Sequence, residues 1–242
     1  MDRDTDIGGR AEGFPQTRRS AVWAARSADP AERRRALDVL VTAYWKPVYK
    51  YIRLKWREDN EAAKDLTQGF FAQAVEKDYF AAYDPAKARF RTFLRTCLEG
   101  YVANERKAAG RLKRGGGATL LALGSDSREG ELSLEEYFQR EWVRSLFSLA
   151  VEDLKTQCRV QGKDSHFLLF ARYDLEEGGA GEGLTYERLA TEFGIPAAQV
   201  TNYLAWARRE FRRIVLERLK EITGGEQEFR DEARLLLGIE TP

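Results

Sequence analysis

Two groups of side chains in this chain have the chemistry to read nucleic acid. The first lies between Leu184 and Arg213, in LTYERLATEFGIPAAQVTNYLAWARREFRR, where Gln199, Thr201, Asn202, Trp206, Arg208 and Arg209 bring amide, hydroxyl, aromatic and guanidinium groups close together. Amides and guanidinium groups pair with base edges, while cations and hydroxyls meet phosphates. The second group is Phe90, Arg91, Phe93, Arg95, Asn104, Arg106, Lys107 and Arg111. Melted DNA exposes base faces and a dense backbone charge, so a protein that holds it needs aromatic platforms beside cations. Phe90 and Phe93 each suit a core position as well as a platform, and Asn104 suits a local bond as well as a base contact.

Helices must position both groups. Val200, Leu204, Ala207 and Phe211 recur at helical spacing, which predicts that they face inward and that Gln199, Thr201, Asn202, Ala205, Trp206 and Arg208 face outward. Before them, Leu189, Phe193 and Ile195 form an apolar face, and Ala190 allows close helix approach. Gly194 falls where the chain must turn with positive φ, and Pro196 suits a first helical turn. This is the pattern of a helix-turn-helix. Arg212, Arg213, Arg218 and Lys220 extend the basic run to where cations can meet phosphates. Trp206 can stack on a sugar, touch a thymine methyl, or pack against the preceding helices.

Upstream, Leu37, Leu40, Val41, Tyr44, Val48, Tyr51 and Ile52 form one helical stripe, in which Pro47 predicts a kink or a restart. A second helix is predicted from Asn60 to Glu76 and a third from Phe90 to Gly110, the latter running into three glycines. Helices at Leu134 to Gln161 and Asp164 to Asp174, a loop EEGGAGEG, the helix-turn-helix and a short amphipathic tail complete the chain. The expected fold is all-α, as two small helical domains at 36–114 and 134–222. A linker at 115–133 joins them, between an N-terminal extension at 1–35 and a tail helix at 223–242. In the tail, Phe229, Ala233, Leu236 and Leu237 share one side, as expected of a packing element; a regulatory role is the other reading.

Composition narrows the function classes. With 43% apolar and 33% charged residues the chain reads as globular, and no apolar run is long enough to cross a bilayer, so no membrane insertion is expected. A net charge of +1 argues against a protein that coats nucleic acid indiscriminately, although the total hides a basic stretch at Arg106 to Arg114 and an acidic one at Gly130 to Glu141. Cys97 and Cys158 suggest neither a disulfide framework nor a metal site, and a reducing cytoplasm is the expected compartment.

An enzyme is not expected, and no catalytic residue, metal or cofactor is assigned. The single histidine, His166, sits in the apolar segment HFLLF, where a structural role outweighs a base or ligand role. GGAGEG lacks the lysine and the strand–turn–helix context of a phosphate loop. The pairs Glu135-Glu136 and Glu176-Glu177 diverge on a helix and suit solvent.

From Ala36 to Leu219 the chain resembles bacterial RNA polymerase sigma factors of the extracytoplasmic-function type. ALDVLVTAYWKPVYKYIR resembles the opening helix of their N-terminal, region-2-like domain, and KDLTQGFFAQAVE resembles the helix that binds core RNA polymerase. The resemblance implies that Asp65, Gln68 and Phe71 meet the polymerase. DPAKARFRTFLRTCLEGYVANERKAAGRLKRGGG resembles the segment that melts promoter DNA and reads the minus-ten element, which implies that role for Phe90, Arg91, Phe93, Asn104, Arg106, Lys107 and Arg111. The helix-turn-helix is similar to the domain that reads the minus-thirty-five element, a role implied here for Gln199, Thr201, Asn202, Trp206, Arg208 and Arg209.

The chain departs from the family where Phe93, Gly100 and Asn104 replace a common tryptophan, asparagine and aspartate, and where Thr201 and Trp206 replace basic residues of the last helix. Promoter preference therefore does not transfer. The expected partners are core RNA polymerase, promoter DNA and a regulatory protein such as an anti-sigma factor. The alternative is a stand-alone helix-turn-helix transcriptional regulator, which binds DNA without polymerase and dimerises to read two half-sites.

Overall fold

A computed structural model describes residues 20–113, 133–176 and 184–238. All of the regular structure among these residues is helical, as expected. None of the described helices is long and apolar enough to cross a membrane. The linker expected at 115–133, except Ser133, and most of the EEGGAGEG loop lie outside the described residues.

Helix ends are set by local chemistry. α1 (Ala21–Ala24) is a single turn, and α2 (Pro30–Trp56) starts where the Asp29 carboxylate accepts a hydrogen bond from the Ala31 N–H at 2.9 Å. The restart expected at Pro47 does not occur: α2 runs through it, with the proline ring buried, and ends at Arg57, whose φ is 53°. α3 (Asn60–Glu76) is capped by Asp59, and its bounds are those the sequence predicts. A 3-10 turn at Tyr79–Ala82 leads to α4 (Phe90–Lys113). α5 (Leu134–Val160) opens with a capping box between Ser133 and Glu136. α6 (Asp164–Phe170) continues into a π-helical turn at Ala171–Leu175. α7 (Tyr186–Phe193) is capped by Thr185, α8 (Ala197–Ile222) begins after Pro196, and α9 (Glu226–Leu237) ends at Gly238.

α5 is the central helix of the packing, lying against both α2 and α8. α2 carries α1 and α3, while α8 carries α6, α7 and α9. Buried apolar residues from all of these helices form one cluster, from Val22, Tyr44 and Phe90 through Phe138, Trp142 and Leu146 to Leu189, Leu204, Leu219 and Ala233. The helical groups on either side of 115–133 thus share a packed face. Tyr51 and Phe138 meet edge to face at 5.4 Å, and the Ser145 hydroxyl donates to the Ala43 carbonyl at 3.1 Å. Each large apolar side chain sequestered there contributes about 1.5–3 kcal/mol of transfer free energy.

That face also holds Glu141, 1% exposed, with Lys50 Nζ at 2.6 Å and Arg144 Nη1 at 2.5 Å. Burial pushes its carboxyl up, but the hydrogen bonds and charges of Lys50 and Arg144 outweigh burial and hold it below the ordinary value of 4.5. A carboxyl that binds its proton more weakly in the folded state adds stability above its ordinary pKa, and this is lost as pH falls through the depressed value. Denaturant titrations between pH 5 and pH 2, as approximate limits, should therefore show a shallower acid loss for Glu141→Gln than for the parent protein. Parallel curves would mean that Glu141 does not contribute.

Candidate nucleic-acid interface

The α7–α8 pair has the geometry its sequence predicts. Gly194 takes φ 64°, a left-handed conformation that disfavours side chains with a Cβ, and the Ile195 N–H reaches back to the Ala190 carbonyl at 3.0 Å. Leu189, Val200, Leu204 and Ala207 are buried, and Phe211 is half-buried against Phe147 and Phe170. The inward stripe leaves Gln199, Thr201, Asn202, Ala205 and Arg209 exposed. Amide, hydroxyl and guanidinium groups on one open helix face can donate to and accept from base edges and phosphates.

Two residues expected on that face are engaged elsewhere. Trp206 is half-buried, edge-on to His166 at 5.1 Å, with Lys163 Nζ 4.0 Å from its ring centre. Packing is thus the geometry adopted by Trp206. His166 in turn stacks on Tyr203 at 3.8 Å, and burial together with Lys163 lowers its pKa. Arg208 grips both oxygens of Asp174 at 2.9 and 3.0 Å and lies over the Tyr173 ring. Its guanidinium is turned to the π-helical turn. Further along α8, Arg213 pairs with Glu210 and Glu217, and Arg218 pairs with Asp153, so carboxylates already neutralise part of the basic run.

On α3, Asp65 and Gln68 are exposed one turn apart and form an open polar face. Phe71 departs from the expectation of a partner contact. It is buried, stacked on Trp45 with ring centres 5.9 Å apart and set edge to face with Phe70. The helix turns residue 71 toward α2, so it supports the polar face from below. Between these positions, Gly69 admits the Tyr101 hydroxyl of α4 so closely that a Cβ there would collide with it.

The group on α4 divides into two parts. Asn104, Arg106 and Lys107 are exposed near its C-terminal end, with Arg106 Nη2 3.5 Å from Glu58. The Arg111 side chain lies outside the described ones. At the other end Phe90, expected on the DNA side, is core. It is fully buried, with the rings of Tyr44, Phe80 and Tyr83 at 5.6, 5.9 and 5.2 Å. Phe93 is half-buried against Tyr83 at 5.3 Å. Arg91 is also buried, with its guanidinium 5.1 Å from the centre of Trp142.

The tail packs, as its apolar stripe leads one to expect, but sequence reasoning missed what it packs on. Glu232 of α9, fully buried, forms ion pairs with Arg91 and, at 2.8 Å, with Arg89. One turn earlier, Glu228 accepts hydrogen bonds from the Phe90 N–H at 2.9 Å, the Tyr83 hydroxyl at 3.1 Å and the Gly224 N–H at 2.7 Å. Burial raises the Glu228 carboxyl above the ordinary range despite these bonds. The N-terminal segment closes the same corner. Trp23 Nε1 donates to the Gly224 carbonyl, and Arg26 donates to the carbonyls of Phe80 and Tyr83. A signal for this contact was in the sequence: Glu228 and Glu232 flank the Phe229 and Ala233 stripe, so a docked tail sets both carboxylates beside whatever that stripe covers.

No family model, no curated protein and no solved structure matches this chain.

Proposed function

We propose that the protein is a promoter-specificity subunit of RNA polymerase, of the extracytoplasmic-function sigma type, which acts through binding energy and uses no cofactor. The observation that carries this reading is the helix pair turned at Gly194, with Gln199, Thr201, Asn202 and Arg209 exposed on its second helix. Those four are the side chains offered to a major groove. A second open face, Asp65 and Gln68 on α3, suits the polymerase. Asn104, Arg106 and Lys107 suit the phosphates of opened promoter DNA.

Co-elution with bacterial core polymerase stripped of its own sigma subunit tests the reading. The parent protein should bind. Asp65→Ala with Gln68→Ala should weaken binding by at least about tenfold, the scale of loss at an interface anchor, and should leave helix content unchanged because both side chains are exposed. A parent protein that ignores polymerase and binds duplex DNA tightly by itself would instead be the stand-alone helix-turn-helix regulator.

A further inference from the structure

At the start of α4, a compact set of groups gathers around carboxylates supplied by the same chain. Arg89, Arg91, the Tyr83 hydroxyl and the N–H of Phe90, the first residue of α4, all converge on Glu228 and Glu232. Two arginines, a hydroxyl and an N–H of a first helical turn are the donors that recur around nucleic-acid phosphates. The two carboxylates lie one turn apart on α9, about 5–6 Å between Cβ atoms, a spacing of the order of successive phosphates along a single strand.

We propose that α9 is a removable stand-in for nucleic acid: Glu228 and Glu232 occupy a phosphate-binding notch formed by Tyr83, Arg89, the Phe90 N–H and Arg91, which takes the backbone of single-stranded DNA once the tail lifts away. This rests on the DNA-binding reading above and adds its control. Two features make the cover removable, and a third gives a handle on it. Glu232 is fully buried, yet its Oε2 accepts no hydrogen bond, so its desolvation is incompletely offset. α9 spans 12 residues, too few for a helix to hold in water without docking. Its connection turns at Gly224, where the Tyr83 ring leaves no room for a Cβ.

The cover also neutralises what it hides. The charges of α9 other than Glu228 and Glu232 cancel, Glu226 and Asp231 against Arg230 and Arg234, while Glu232 is paired with Arg89 and Arg91, so a DNA strand approaching the docked corner meets no uncompensated positive charge from these arginines. Lifting the tail takes the carboxylate away from Arg89 and Arg91, and leaves Arg91 with the Trp142 ring of α5 beside it.

The test is the affinity of the full-length protein for a fluorescently labelled single-stranded DNA oligonucleotide, measured by anisotropy across a salt series. Two variants release the tail by different means: Glu228→Gln with Glu232→Gln removes the charges, and Gly224→Val drives a side chain into the Tyr83 ring. Circular dichroism verifies that the remaining helices persist, and amide hydrogen exchange over 226–237 reports undocking. Each variant should bind the oligonucleotide about tenfold more tightly or better, as expected when the covered form holds nine-tenths or more of the population. The salt slope should steepen by about 0.7 for each phosphate engaged. Adding Arg89→Ala and Arg91→Ala should erase the gain. An exchanged, undocked α9 with no gain in DNA affinity overturns the proposal, and so does an α9 that stays protected in both variants. Polymerase co-elution is scored separately: DNA gain without polymerase binding removes only the polymerase reading, whereas polymerase binding without DNA gain removes only the cover.

Discussion

Replacing Phe90 by alanine should destabilise the protein by about 3–5 kcal/mol, the range for deleting a fully buried aromatic ring and leaving its cavity. The ring touches Tyr44 of α2, Phe80 and Tyr83 of the connecting turn, and Phe93 of its own helix, so these elements cannot collapse together to refill the space. Urea denaturation of the full chain measures the loss, and Phe90→Leu, which keeps most of the volume, should lose far less. Asn104→Ala, on the exposed end of the same helix, should stay within about 0.5 kcal/mol of the parent protein. The contrast separates two roles for α4 aromatics. A platform for an unpaired base would lose DNA affinity and keep its stability, so a Phe90→Ala protein as stable as the parent would return that residue to the DNA face.

The second large effect is expected at Arg91. Substitution by methionine leaves Glu232 with only Arg89, which is itself 41% exposed, and should cost about 3 kcal/mol, the low end of the range for breaking a buried ion pair from one side. Combining Arg91→Met with Glu232→Leu replaces both charges by apolar volume and should recover most of that loss, because no uncompensated charge then remains buried. A double-mutant cycle by chemical denaturation reads the coupling directly. Losses that simply add would show that the two side chains act independently, and the account of the buried pair would fail.

Local signals carried most of the helical architecture. Asp59 and the apolar spacing after it bound α3, and Gly194 followed by Pro196 placed the turn between α7 and α8, because capping and positive φ are decided by residues within one turn. The restart at Pro47 was overridden, since α2 is held on both sides of the proline by its packing against α3 and α5. The candidate interfaces were only half legible. Gln199, Thr201, Asn202, Asp65 and Gln68 are exposed as helical periodicity requires. The engagements of Phe71, Phe90, Arg91, Trp206 and Arg208 within the chain were not legible for one shared reason: each has a partner distant in sequence. Arg208 meets Asp174, Trp206 meets Lys163, and Phe71 meets Trp45. A basic or aromatic residue looks alike whether it faces DNA or a carboxylate contributed by a remote helix.

The corner where α9 covers the start of α4 also fixes an order of events during synthesis. Arg91 and Glu232 are 141 positions apart, so at about 5–20 residues per second a ribosome needs roughly 7–28 s between adding the first and adding the second. Once Lys113 has been added, the nascent chain has the sequence of α2, α3 and α4 but no tail for the rest of that interval. Its arginines are made early and covered last, and each newly made molecule passes once through the uncovered form before any signal has acted on it.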